Sequence, residues 1–150
     1  MGVMISQAGL DDLDQIAELF NQYRVFYEQE PDLDGGKSFL RDRMILRDSV
    51  IFVGRDVASN QYVGFCQLYP TFSSISMQRS WILNDLFVVV AYRKLGIGKL
   101  LLDEAARYAQ QTGSKGLELA TSADNTRAQK LYEEQGYQRD EQFYHYFLKV

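Results

Sequence analysis

Arg93-Lys94-Leu95-Gly96-Ile97-Gly98-Lys99 places three cations and two glycines in seven residues, with no acid among them. An apolar run, Trp81 to Val90, leads in, and an amphipathic segment, Leu100 to Gln110, leads out. A strand that enters a glycine turn and opens a helix is a device for holding phosphate. Glycine lets the backbone approach a ligand with no Cβ in the way. The first amides of the helix have no internal acceptor and lie at the positive end of its dipole. The side chains of Arg93, Lys94 and Lys99 add a local basic field.

The spacing excludes two common phosphate loops. A Walker loop requires G-x-x-x-x-G-K-[ST], but Leu100 follows Gly98-Lys99 and Arg93 sits where the first glycine belongs. A dinucleotide fingerprint requires G-x-G-x-x-G, but Leu101 fills the third glycine position. What remains is R-x-x-G-x-G after a strand. A second stretch follows at a defined distance: Asn125-Thr126-Arg127-Ala128-Gln129-Lys130-Leu131-Tyr132-Glu133-Glu134-Gln135-Gly136-Tyr137. Together the two stretches resemble the GNAT (GCN5-related) N-acetyltransferase family. Its pyrophosphate loop reads [Q/R]-x-x-G-x-[G/A], and its later motif reads N-x-x-A-x-x-[L/F]-Y-x-x-x-G-[F/Y]. The motifs cover roughly residues 80 to 138, in the family's order.

The resemblance implies an acetyl-CoA-dependent N-acetyltransferase that transfers acetyl directly to an amine, without metal or covalent enzyme intermediate. It assigns the cofactor's phosphates to Arg93, Lys94, Leu95, Gly96, Ile97, Gly98 and Lys99. It assigns the pantetheine arm and thioester to Leu86, Phe87, Val88 and Val90, with the Val88 amide donating to the thioester oxygen. Asn125 and Ala128 complete the cofactor set, Asn125 either bonding the pantetheine arm or orienting Tyr132. Tyr132 is the implied acid for the leaving thiolate. A phenol with a pKa of about 10 is a protonated donor at neutral pH, against roughly 8.5 for a thiol.

The amine also needs a base, because a lysine-like pKa of about 10.4 leaves little free amine at pH 7. Leu83-Asn84-Asp85-Leu86-Phe87-Val88 resembles the L-E-D-[L/F]-[F/Y]-V of the spermidine/spermine (diamine) branch, where the Glu serves as base. Here Asn84 stands at that place and cannot take a proton. Asp85 is the nearest carboxylate and the leading choice, with a water chain to bulk as the alternative. Strand alternation puts Asn84 and Asp85 on opposite faces, so Asp85 does not simply inherit the role.

The acceptor side is sketched by Tyr27, Tyr69, Asn84 and Asp85. The acidic run Glu28, Glu30, Asp32 and Asp34 suits attraction of a cationic amine on a small molecule or peptide, or simply a solvated loop. Gln67 to Ser74 serves as an acceptor wall or as a dimer surface, since homodimers are common in the family.

Composition sets the limits. The chain of 150 residues is long enough for one domain, residues 1–150, with a real core. No apolar run has transmembrane length, so no membrane partner is expected. A lone cysteine, Cys66, suits a reducing cytoplasm. It reads as a small buried hydrophobe, and His145, within an aromatic run, as a packing residue. A formal charge of −4 argues against nucleic-acid binding. No His, Cys or Asp cluster has metal spacing.

The elements that must position these groups follow from periodicity. Val3 to Ala8 reads as a strand. Asp11 or Asp12 caps a helix that turns Leu13, Ile16, Ala17, Phe20, Tyr23 and Tyr27 inward and is broken by Pro31 and Gly35-Gly36. Ser38 to Arg47 reads as a second helix; Val50 to Arg55, Tyr62 to Tyr69 and Trp81 to Val90 read as strands. A helix over Gly98 to Gln111 turns Leu101, Leu102, Ala105, Ala106 and Ala109 inward. Leu117 to Ala120 is a strand, Thr126 to Glu134 a helix, and two strands close the chain, from Tyr137 and over Phe143 to Val150. The order β-α-α-β-β-β-α-β-α-β-β is an α/β fold with a mixed, mostly antiparallel central sheet flanked by about four helices, matching the family's order.

Overall fold

Alternating apolar residues build a five-stranded sheet in the computed structural model, which describes residues 2–150. β1 (Val3–Gln7), β2 (Val50–Asp56), β3 (Tyr62–Ser73), β4 (Gln78–Val88) and β5 (Leu117–Glu118) lie side by side in chain order. All pairings are antiparallel except β4 with β5. The helices are α1 (Leu13–Phe26), α2 (Leu33–Leu46), α3 (Ile97–Gln111) and α4 (Thr126–Glu134). The expected fold class, mixed α/β with a mostly antiparallel sheet and four helices, is what forms. The chain divides into a unit of residues Met1–Ala120, with the sheet and first three helices, and a unit of residues Thr121–Val150 with α4.

Helices cover both faces of the sheet. On one face Phe20 and Tyr23 of α1 stack edge-on against Phe65, and Tyr23 and Phe26 pack on Phe87. On the other, Tyr108 of α3 meets Phe52 and Trp81, and Trp81 Nε1 donates to Thr112 Oγ1 at 3.0 Å. α3 buries Ile97, Leu101, Leu102, Ala105 and Ala109, a stripe at helical spacing. Ala106 is exposed rather than inward. Truncating a fully buried leucine such as Leu101 to alanine costs about 2–5 kcal/mol.

Several boundaries depart from the sequence reading. α2 starts at Leu33, not Ser38, with Gly35 and Gly36 inside it. Asp32 caps it, its Oδ1 accepting from Gly35 N at 2.9 Å, and an added Cβ on Gly36 would come within 3.1 Å of Phe20 Cδ2. Gly36 thus serves close helix–helix approach and Gly35 leaves room for the Asp32 cap, and neither breaks the helix. Asp12 sits at the N-cap of α1, but its carboxylate accepts from Gly9 N and Tyr62 Oη instead of the helix amides. β4 ends at Val88, and Val90 belongs to a 3-10 turn, Val90–Tyr92.

The two strands expected after Tyr137 do not form among the described residues. Residues 138–150 are exposed, including Phe143, Tyr144, Tyr146 and Phe147. Aromatic residues give strand propensity, but a strand also needs a ladder partner, and this segment has none among the described residues.

Candidate active site

The turn after β4 is shaped by two left-handed residues, Lys94 at φ 64° and Gly96 at φ 82°. Gly96 is the N-cap of α3 and has no side chain to close the helix onto itself. Two other helices are closed by a side chain: Asp32 caps α2, and Asn125 caps α4. The first backbone bond of α3 runs from Leu100 N to Gly96 O at 3.1 Å. The amides of Lys94, Leu95, Gly96, Ile97, Gly98 and Lys99 therefore donate to no protein acceptor among the described residues. A run of free amides at a helix N-terminus is an anion cradle.

The cations are arranged differently from the expected basic cluster. Arg93 Nε donates to Val88 O at 2.8 Å, and its guanidinium lies 4.9 Å from the Phe26 ring centroid and 5.5 Å from that of Phe87. Arg93 thus ties the turn to the end of β4 and to α1. Lys99 pairs with Asp103 one helical turn on, at 3.0 Å. Only Lys94 of the three has no ion pair or hydrogen bond to its side chain among the described residues. A second strut holds the turn from the β2 side, where Tyr92 Oη donates to Asp56 Oδ2 at 2.6 Å. That bond lowers the Asp56 carboxyl below its usual value and raises the Tyr92 phenol above its own.

Beside the turn, one edge of β4 has no strand partner among the described residues, where β4 pairs with β5 at Trp81 and Ile82 alone. Val89 N donates to Val63 O on the β3 side, so the N–H and C=O of Val88 point to the opposite edge, as do those of Leu86. Val88 and Leu86 are half-buried, whereas Phe87 turns its ring into the aromatic cluster under α1. Val90, 73% exposed, and Leu95, 50% exposed, lie on the surface of the turn.

A β-bulge reorganises the middle of β4. Gln67 of β3 pairs with Asp85 and Leu68 pairs with Leu83, leaving Asn84 as the extra residue. Trp81 faces α3, and Phe87 faces α1. Without the bulge, residues 81, 83, 85 and 87 would share one face. The bulge turns Asp85 to the α1 side, beside Gln67 and Tyr69. It also corrects the expectation that Asn84 and Asp85 diverge: Asn84 Nδ2 donates to Asp85 Oδ1 at 3.1 Å. Gln67 Nε2 donates to Asp85 Oδ2 at 2.7 Å. Gln67 is fully buried and Asp85 is 4% exposed. Sequence reasoning missed Gln67 as a partner of Asp85. Its signal was a lone amide in the apolar run Val63-Gly64-Phe65-Cys66-Gln67-Leu68.

Tyr69 lies on the same face and lines a cavity of about 350 Å³ with Phe39, Arg43, Asp48 and Pro70. Burial, and then the nearby Asp85 charge, push its phenol up to about 12. Tyr27 is elsewhere, at the C-cap of α1, packed on Tyr23 and Phe26 and 54% exposed. Within the acidic run, Asp32 is engaged as the α2 cap. Cys66 is a buried free thiol whose environment pushes it up to about 12, chiefly by desolvation. No group of three or more His, Cys, Asp or Glu among the described residues is arranged to hold a metal ion.

In the second unit the long motif is one helix with both its caps. Asn125 Oδ1 accepts from Ala128 N at 3.2 Å. At the other end Gly136 N donates to Glu133 O and Tyr137 N to Tyr132 O, a Schellman closure with Gly136 at φ 96°. The Tyr137 ring packs on the Tyr132 ring at 6.0 Å, the contact that usually accompanies this closure. The spacing from Asn to Gly-Tyr is therefore set by helix length, and it fixes Tyr132 in the last turn.

Comparison with known proteins gives the same family. The sequence profile of the acetyltransferase (GNAT) family matches residues 13–137. An uncharacterized N-acetyltransferase of Bacillus subtilis, YhfO, is 49% identical over 146 residues, 97% of each chain. The L-ornithine N5-acetyltransferase NATA1 of Arabidopsis thaliana is 32% identical over 75 residues, 50% of this chain and 33% of that one. The crystal structure of a probable acetyltransferase superposes with a TM-score of 0.93 at 39% identity, covering 98% of this chain and 97% of that one. With the profile spanning both units and the capped-helix motif complete, the chain belongs to the GNAT acetyltransferase family.

Proposed function

We propose that the chain is an acetyl-CoA-dependent N-acetyltransferase that moves an acetyl group directly from the thioester to a primary amine of a small molecule or peptide. The observation that carries this is the unbroken run of unpartnered amides from Lys94 to Lys99 over the uncapped start of α3. A diphosphate supplies the acceptors those amides lack, and no atom lies within 4 Å of where a Cβ of Gly96 would stand. Residues 1–150 are read as one N-acetyltransferase domain.

In this reading the pantetheine arm lies along the open edge of β4, against Leu86 and Val88. The amine nitrogen attacks the acyl carbon, and the Val88 N–H donates to the oxygen as it gains charge. The C–S bond then breaks, and Tyr132 gives its proton to the sulfur. Asn125 holds the first turn of the helix that carries Tyr132, and Ala128 donates to it. Asp85 takes the amine proton, directly or through water. Tyr69 and Asn84 contribute to the acceptor side, with Tyr27 farther out. Arg93 acts through Val88, by holding the strand end and the turn together.

One relative is named an L-ornithine N5-acetyltransferase, which favours a primary alkylamine as acceptor. The enzyme is proposed to act in the cytoplasm, as a monomer or homodimer, without metal. No helix among the described residues is long and apolar enough to cross a membrane. Asn84, where the diamine branch has its base, favours a second reading, a coenzyme A-binding sensor without catalysis. A third reading keeps the chemistry and changes the acyl chain, because the loop reads only the phosphates.

Steady-state release of free thiol from acetyl-CoA, across spermidine, L-lysine, L-ornithine and an aminoglycoside, tests the proposal. Amine-dependent release supports transfer. Tight coenzyme A binding with no release for any amine or acyl-CoA supports the sensor.

A further inference from the structure

Gln67 and Asp85 form the one buried polar pair of side chains in the described core. Their backbones are register partners across β3 and β4, and their side chains meet at 2.7 Å. Each carboxylate oxygen holds one neutral amide donor, Oδ2 from Gln67 and Oδ1 from Asn84. No ion pair joins Asp85 among the described residues. Gln67 Oε1 has no hydrogen-bond partner. The carboxylate therefore decides which way this amide points, since the flipped amide would set two acceptor oxygens against each other. Neutral amides orient a carboxylate without cancelling its charge and leave lone pairs for a further donor.

We propose that Gln67 is a positioning residue for amine deprotonation: its amide aims the Asp85 carboxylate at the acceptor. The inference rests on the reading of Asp85 as the base. The Asn84 bulge is the other half of the device, because it brings Asp85 to the Gln67 side of the sheet. The charged and titratable groups on this face include Tyr69 of β3, with Arg43 of α2 and Asp48 after it, which act on Tyr69 together with Asp85, and Arg93, whose guanidinium lies over the Phe26 and Phe87 rings. From α1, Tyr23 packs on Phe65 and Phe87, which form the next same-face pair along the ladder. On the far face are Cys66 and, from α3, Glu104.

The test compares Gln67→Leu, Gln67→Glu and Asp85→Asn in the full chain. It uses acetyl-CoA with the most active of spermidine, L-lysine, L-ornithine and an aminoglycoside, from pH 5.5 to 10. Gln67→Leu lowers kcat at least about 10-fold with the KM for acetyl-CoA unchanged, as expected when a charged group loses a hydrogen bond that aims it. Gln67→Glu, nearly the same shape and so the safer fold, places two carboxyl groups in one site. Such a pair shares a proton, so the acid limb of kcat/KM moves up by about one pH unit or more. Wild-type kcat and acid limb in both Gln67 variants, with Asp85→Asn inactive, would overturn the positioning role and leave the base reading intact. Full turnover with an unmoved limb in Asp85→Asn would overturn the base reading itself.

Discussion

The Nε–H of Arg93 donates to the carbonyl of Val88 at 2.8 Å, joining the first residue of the glycine turn to the last residue of β4. The bond caps the Val88 carbonyl and leaves its N–H as the open donor on that edge. The guanidinium stacks on Phe26 and Phe87, so the contact also reaches α1. Arg93→Leu removes a charge-assisted bond worth about 1.5–3 kcal/mol and a cation–π contact worth about 0.5–2 kcal/mol. We expect a lower melting temperature and a KM for acetyl-CoA raised about tenfold. Lysine at this position rescues neither fully, because it lacks the planar fork. Thermal denaturation and steady-state kinetics check both.

Gly96 is left-handed and uncapped, and both properties matter. Gly96→Ala meets no neighbouring atom but puts a Cβ on a left-handed residue, at a cost of about 1–2 kcal/mol. Gly96→Asp adds a carboxylate that caps the α3 amides and repels a diphosphate. We expect the aspartate variant to stay folded and to lose coenzyme A binding at least 100-fold, read by calorimetry with circular dichroism as the control.

Tyr132→Phe keeps the ring on Tyr137 and deletes only the hydroxyl. A general acid contributes about 10²–10⁴ in rate. We expect kcat to fall about 100-fold, with the acetyl-CoA dissociation constant within a factor of two. Unchanged turnover across pH would remove Tyr132 from the mechanism.

Cys66 is pushed up to about 12, so its thiolate is scarce at any working pH. Native protein should resist iodoacetamide for hours at pH 8 and react at once when unfolded. Rapid labelling of the folded chain would contradict the buried placement.

The Asp56–Tyr92 bond gives a pH signature. Asp56 is lowered in the fold from 3.8 and Tyr92 is raised from 10.0. The carboxylate's contribution is complete above its unfolded value and fades as pH falls through the lowered one. The phenol's is complete below its unfolded value and fades as pH rises through the raised one. Tyr92→Phe should therefore show its full destabilisation between about pH 4 and 10, with the difference from wild type shrinking as pH falls through the lowered Asp56 value or rises through the raised Tyr92 value. Urea titrations at pH 3, 7 and 11 read the difference.

What could be read from the sequence was local. The Arg93–Lys99 turn and the Asn125–Tyr137 helix carry their own geometry, through glycines at left-handed positions and a capping asparagine. The family and fold class followed from them. What could not be read depended on partners distant in sequence. The Asn84 bulge is a register shift between β3 and β4, invisible along one strand, and it reversed the expected relation of Asn84 to Asp85. Gly35 and Gly36 looked like breakers because the packing of Phe20 on Gly36 joins two helices. The bond from Arg93 to the Val88 carbonyl, which ties the turn to β4, was likewise not legible along the chain. The aromatic residues after Tyr137 gave strand propensity but could not supply a partner edge.

The most direct measurement is a coenzyme A titration followed by ¹⁵N–¹H correlation spectra of the assigned full chain. The largest downfield amide shifts should fall on residues 94–99, absent in Gly96→Asp. Spectra unchanged at millimolar coenzyme A, or shifts confined to other segments, would contradict the diphosphate grip and the acetyl transfer built on it.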